Sequence, residues 1–266
     1  MIRSDWGTDD AVAPQAPEAR VPPARLRDLG RTEYRETWQA MRAFTEARGP
    51  DTPDELWLVE HPPVFTLGQA GRGEHVHAPG AIPVIATDRG GQVTYHGPGQ
   101  VVVYTLVDLR RTGFFVRELV RRIEEAVIET LASYGVAGFR VDGAPGVYVH
   151  SPACSEEGTH QRNPAAGFPA GEANRAGRDA ERNPDPDPRF LDRAKIAALG
   201  IKVHRGCAYH GVALNVAMDL APYSRIDPCG YPGLRATDLA TLGVRPDRLA
   251  VGERLLECVR AQIFPD

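Results

Sequence analysis

Cys229 stands in Ile226-Asp-Pro-Cys-Gly-Tyr231, with a proline fixing the backbone on one side and a glycine freeing it on the other. That arrangement presents a thiol on a tight turn, where it could be a reactive centre. A cysteine in a turn is more often a small buried hydrophobe, and that reading suits the other three. Cys258 sits near the apolar stripe of a C-terminal helical pattern, Cys207 in a loop or at a strand edge, and Cys154 in a segment without apolar pattern. None of the four is at metal-ligand spacing, and a disulfide framework belongs to small secreted chains, so free thiols are expected.

Lys195 opens the run Lys-Ile-Ala-Ala-Leu-Gly-Ile201. A lysine at the start of so apolar a strand either snorkels into water or holds its ammonium in a cleft beside a partner. Next to a thiol, the ammonium would favour the thiolate and carry the proton between steps. Spacing alone does not pair Lys195 with Cys229. His96 and His210 are candidate general bases for a cysteine, or polar residues satisfied by nearby backbone. The remaining histidines, His61, His75, His77, His150, His160 and His204, form no metal-binding spacing, so no metal is expected. The chain has no GxxxxGK[ST] phosphate loop, and Gly97-Pro-Gly99 is no dinucleotide fingerprint.

Arg89-Gly-Gly-Gln-Val-Thr-Tyr-His-Gly-Pro-Gly-Gln100 runs directly into the apolar stretch Val101–Val107. Glycines let a backbone approach a ligand closely, so the string reads as a ligand-facing wall anchored on a buried strand. A hairpin with a glycine-rich turn is the plainer alternative.

The elements that must carry these residues show in the apolar periodicity. Tyr34–Arg48 has Tyr34, Trp38, Met41 and Phe44 at helical spacing and stops at Gly49-Pro50. Strands are expected at Glu55–Glu60, Val64–Leu67, Val101–Leu109, Gly146–His150, Lys195–Ile201 and His210–Val216, and Ile82–Ala86 leads into the glycine-rich string. Helices are expected over Phe115–Tyr134, with Leu119, Ile123, Val127 and Leu131 on one face, and over Arg248–Ile263. Strands alternating with a few helices suggest an α/β domain. Residues 1–24 read as a disordered leader without the basic and apolar regions of a secretory signal. Ser151–Arg189 holds six prolines and only Phe168 as a large apolar residue. We expect a flexible insertion at about 151–192 within a single domain spanning 25–266.

At 266 residues and 42% hydrophobic content the chain can bury a proper core. A net charge of −4 gives no footprint for nucleic acid, and no basic block or long apolar run points to a membrane. A cytoplasmic location is the default expectation.

Five blocks, taken in order, resemble the lipoyl(octanoyl) transferases of lipoate biosynthesis. They are Asp54–Gln69, the glycine-rich string Arg89–Gln100, Lys195–Ile201, His210–Val216 and Pro228-Cys-Gly230. The likeness extends from about Leu26 to the C-terminus apart from the insertion, which replaces a short turn in the family. It implies an α/β fold with a mixed sheet flanked by helices, like the catalytic domain of biotin and lipoate protein ligases. It also implies transfer of an octanoyl group from octanoyl-acyl carrier protein to a lysine of a lipoyl domain. The acceptors would be the lipoyl domains of 2-oxoacid dehydrogenase complexes and the glycine-cleavage H protein. By position, Cys229 would carry the acyl group as a thioester and Lys195 would serve as acid and base, with no cofactor. Arg89, Gly90, Gly91, Gln92, Val93, Thr94, Tyr95 and His96 would line the acyl pocket. Ala198, Leu199 and Gly200, with Gly211, Val212 and Ala213, would complete it. An ATP-dependent ligase on the same fold and a non-catalytic acyl-carrier-binding protein are the competing functions.

Overall fold

The computed structural model describes residues 24–151, 187–245 and 247–265. Cys154, nearly all of the expected leader and most of the expected insertion lie outside the described residues. The elements, in chain order, are β1 (Arg25–Arg31), α1 (Tyr34–Ala47), β2 (Glu55–Glu60), β3 (Val64–Leu67), β4 (Val84–Ala86), β5 (Val93–His96), β6 (Gln100–Asp108), a single turn α2 (Leu109–Thr112) and α3 (Val116–Ala132). Beyond these come β7 (Phe139–Val141), β8 (Ala144–His150), β9 (Arg193–His204), β10 (Cys207–Asn215), β11 (Arg235–Ala236) and α4 (Arg248–Ile263).

The main sheet has the strand order β1-β2-β6-β10-β9-β8-β7, and β11 adds to β9. β1 runs parallel to β2 and β11 parallel to β9, while the other pairings are antiparallel, so the sheet is mixed. A smaller sheet, β4-β3-β5, stands beside it.

Alternation along β6 explains the layers. Val101, Val103 and Val107 join Leu119, Ile123, Val127 and Leu131 of α3 and Val251, Leu255 and Val259 of α4 on one face. Val102, Tyr104 and Leu106 meet Met41 of α1 on the other. A strand buried on both faces reads as a continuous apolar run, which is why Val101–Val107 stands out in the sequence. α3 ends where Gly135 adopts φ of 75° and the amide of Val136 bonds back to the Leu131 carbonyl at 3.0 Å. The Asp247 side chain accepts from the Leu249 amide at 3.2 Å and starts α4.

Several elements differ from expectation. The lysine-bearing strand β9 is longer than its apolar part, because Lys202–His204 continues pairing with Cys207–Tyr209 across a hairpin. Part of the glycine-rich string, Val93–His96, is a strand paired with β3 and not a loop. At the end of the 151–192 range, Phe190 is buried and stacks on Tyr148 at 5.5 Å between ring centroids. Among the described residues no helix is long and apolar enough to cross a membrane.

Candidate active site

Lys195 lies in β9, between β8 and β11. Its carbonyl accepts from the Thr237 amide at 3.0 Å, and Ala236 of β11 is its pairing partner. The side chain is 4% exposed and rises toward the turn Pro228–Gly230. There Cys229 has a left-handed backbone with φ of 58°, and Gly230 follows at 74°. A left-handed cysteine on a proline-initiated turn is pushed out of the chain path, and its sulfur meets the ammonium. Lys195 Nζ lies 2.8 Å from Cys229 Sγ and donates a second hydrogen bond to the Pro145 carbonyl at 2.7 Å. The Tyr148 ring lies beneath, with its centroid 5.2 Å from Nζ.

Burial pulls the lysine toward the neutral amine, but the opposite charge of Cys229 and the neighbouring Tyr148 more than offset it. Its pKa therefore stays above the ordinary lysine value. The other described cysteines differ. Cys207 and Cys258 are buried, and burial pushes both thiols up, toward the unreactive protonated form.

Cys229 also stands where three cavities meet. One, with about 470 Å³ of space between atoms that is partly open to solvent, is predominantly apolar and runs between the β6–β10–β9 face and the string from Arg89 to His96. Of the candidate residues, Arg89, Gly91, Gln92, Val93, Thr94, His96, Ala198, Leu199, Gly200, Gly211, Val212 and Ala213 line it. Gly90 lines a second cavity of about 710 Å³ on the other side of the same loop. A third, of about 260 Å³, connects Cys229 to Lys195.

Tyr95 is the residue of that set found elsewhere. It lies on the face of β5 opposite Thr94 and His96 and packs on Phe65 and Tyr223, with ring centroids 5.5 and 5.6 Å away. Arg89 reaches the wall but spends its guanidinium on the loop itself. It donates to the carbonyls of Thr66 at 2.6 Å, Gln92 at 2.8 Å and Gly90 at 2.9 Å. Gly200 permits the loop to lie this close, since a Cβ there would fall 2.6 Å from the Gly90 carbonyl oxygen.

The histidines do not contact the sulfur as bases. His96 uses Nδ1 on Gln100 Oε1 at 2.8 Å and Nε2 toward Thr66 Oγ1 at 3.4 Å, and burial lowers its pKa to about 3. His210 bonds through Nε2 to Asp88 at 2.8 Å. Sequence reasoning missed three supporting residues. Gly146 makes room for the lysine chain, Glu124 accepts the Gly146 amide at 2.9 Å, and Tyr148 underlies the ammonium. Only Gly146 left a signal, as a glycine inside a strand pattern.

This geometry, a paired ammonium and thiol at the mouth of an apolar cavity, suits acyl transfer through sulfur. Residues 33–260 match the lipoyl protein ligase A/B catalytic domain. An octanoyltransferase of Albidiferax ferrireducens is 57% identical over 81% of this chain and 87% of its own. One of Methylibium petroleiphilum is 57% identical over 86% and 95%, and one of Alkalilimnicola ehrlichii 49% identical over 91% and 95%. In fold, the chain is similar to a bipartite lipoate protein ligase of Thermoplasma acidophilum, with a TM-score of 0.60 at 14% identity, covering 90% of this chain and 83% of that one. The expected mixed sheet with flanking helices is thus the fold of the lipoate protein ligases. At these identities and coverages, the chain belongs to the lipoyl protein ligase A/B catalytic-domain family and stands within it among the octanoyltransferases.

Proposed function

We propose that this protein transfers an octanoyl group from octanoyl-acyl carrier protein to a lysine of a lipoyl domain, with Cys229 holding the acyl group between the two steps. The observation that carries this reading is the 2.8 Å contact of Lys195 Nζ with Cys229 Sγ at the end of an apolar cavity.

The Cys229 thiolate attacks the carbonyl of the donor thioester. As the tetrahedral adduct collapses, the carbon–sulfur bond to the carrier breaks, and the leaving thiolate takes a proton from the Lys195 ammonium. The octanoyl group is now a Cys229 thioester and Lys195 a neutral amine. The acceptor lysine attacks this thioester as a free amine and gives its surplus proton to Lys195. The Cys229 thiolate leaves, and the ammonium–thiolate pair is restored. One thioester is exchanged for another before the amide forms, so no nucleotide is consumed.

The small residues of the wall support the acyl assignment. Ala198, Gly200, Gly211 and Ala213 leave the space that larger side chains would fill. Burying an eight-carbon chain there at ~0.8 kcal/mol per CH₂ contributes roughly 5 kcal/mol to recognition. The proposed acceptors are the lipoyl domains of 2-oxoacid dehydrogenase complexes and the glycine-cleavage H protein.

Incubating the protein with octanoyl-acyl carrier protein, without nucleotide, tests the reading by intact mass. A covalent octanoyl adduct that is absent from Cys229→Ser is the expected result. An adduct that persists in Cys229→Ser, or acylation that requires ATP, contradicts it and favours an adenylate-forming ligase.

A further inference from the structure

His210 has φ of 67° in the interior of β10, a left-handed backbone that few residues other than glycine adopt. The ladder to β6 skips this point. Ala208 pairs with Val107 and Gly211 with Tyr104, while the Thr105 hydroxyl donates to the His210 carbonyl at 3.1 Å. The imidazole sits on the wall of the 470 Å³ cavity and is 1% exposed. Its Nε2 donates to Asp88 Oδ1 at 2.8 Å, and the same carboxylate accepts from the Trp38 indole at 2.8 Å and the Tyr209 hydroxyl at 2.6 Å. The Tyr104 ring stands edge-on to it at 6.3 Å. A strained backbone held by this many anchors, at a wall residue that touches neither Lys195 nor Cys229, points to a role in what the wall encloses.

The register gives its place along the cavity. His210 pairs with Ile201, six residues along β9 from Lys195 and so about 20 Å away at the rise of a strand. It therefore stands at the end remote from the lysine. From Ala213 to His210 the wall runs three residues, about 10 Å. The seven carbon–carbon bonds of an extended octanoyl chain, about 1.5 Å each, project to roughly 9 Å.

Building on the octanoyl-transfer reading above, we propose that His210 closes the far end of the acyl pocket and sets the longest chain the site accepts. Glycine and asparagine both tolerate the left-handed backbone, so His210→Gly and His210→Asn shorten the side chain in two steps without adding strain. Octanoyl- and dodecanoyl-pantetheine are offered separately to the full chain, and acylation of Cys229 is followed by intact mass. The dodecanoyl-to-octanoyl rate ratio should rise about tenfold or more in His210→Gly, with His210→Asn between it and the parent. An unchanged ratio in variants that still load octanoyl overturns the proposal while leaving the transfer reading intact. Loss of both chains from both variants also overturns it, because the ring then supports loading and does not limit length. A parent protein that takes no octanoyl overturns the transfer reading and this proposal together.

Discussion

A Cβ at Gly146 would lie 2.5 Å from Cε of Lys195 and 2.9 Å from its Nζ, so the lysine chain crosses β8 at a residue without a side chain. The φ of 125° at Gly146 and the hydrogen bond its backbone N–H donates to buried Glu124 of α3 hold that crossing in place. The β8–β9 register shifts at the same point, between Val147 and Tyr148. Glutamate, glycine, lysine and cysteine thus form one line of contacts from α3 to the Pro228–Gly230 turn.

Gly146→Ala should therefore disable transfer by moving the ammonium. A displacement of about 1 Å costs on the order of 100-fold in rate. Because the new Cβ would also sit 2.6 Å from the Ala197 carbonyl oxygen, a drop in melting temperature accompanies the loss. Transfer rates at saturating substrate, beside a thermal melt, check both.

Lys195→Met keeps the apolar stem and removes the charge. The variant then lacks both the hydrogen bond to Cys229 and the group that carries the proton between the two steps. Octanoyl loading of Cys229, followed by intact mass, should slow by about 100-fold or more. Cys207 and Cys258, whose thiols burial pushes up, should stay unacylated in both proteins.

His61 and His96 make the fold sensitive to acid. Burial, the largest cause, lowers them to about 4 and about 3, and the two rings lie 5.8 Å apart. In the unfolded chain they take protons near pH 6.5. The unfolded state thus binds more protons below that pH. Their contribution to stability is full above about pH 6.5 and is lost as the pH falls toward 4, at up to about 1.4 kcal/mol per pH unit for each histidine. Urea unfolding at pH 7, 5.5 and 4.5 should show this slope, and His96→Gln should make it shallower.

Asp54 is a structural counterpart to the site. Its buried carboxylate accepts from Arg48, from Arg111 at 2.7 Å and from the Asp108 amide at 2.8 Å. Asp54→Ala would strand two guanidiniums and a backbone donor, costing about 3–5 kcal/mol. Chemical denaturation should register that loss.

Strands and helices with one clear apolar period were legible in the sequence. The limits expected for β2, β3 and α4 are those of the structure. β1 was not, because Arg25-Leu-Arg-Asp-Leu-Gly-Arg31 is an exposed edge strand paired through its backbone and carries no apolar run. Lys195 and Cys229 each drew notice from local chemistry, but their meeting depends on β11, which docks the chain after the cysteine turn against β9. Two residues of strand leave no pattern. The outward turn of Tyr95 followed from its place on β5, a strand hidden within a string that glycines mark as loop.

The most direct test isolates the acylated enzyme and asks whether it is on the path. Protein loaded with octanoyl on Cys229 and freed of donor is mixed with an unmodified lipoyl domain, and both chains are followed by mass. Octanoyl should leave Cys229 as it appears on the acceptor lysine, in equal amounts. A stable adduct beside an unmodified acceptor, or transfer from donor by Cys229→Ser, would contradict it.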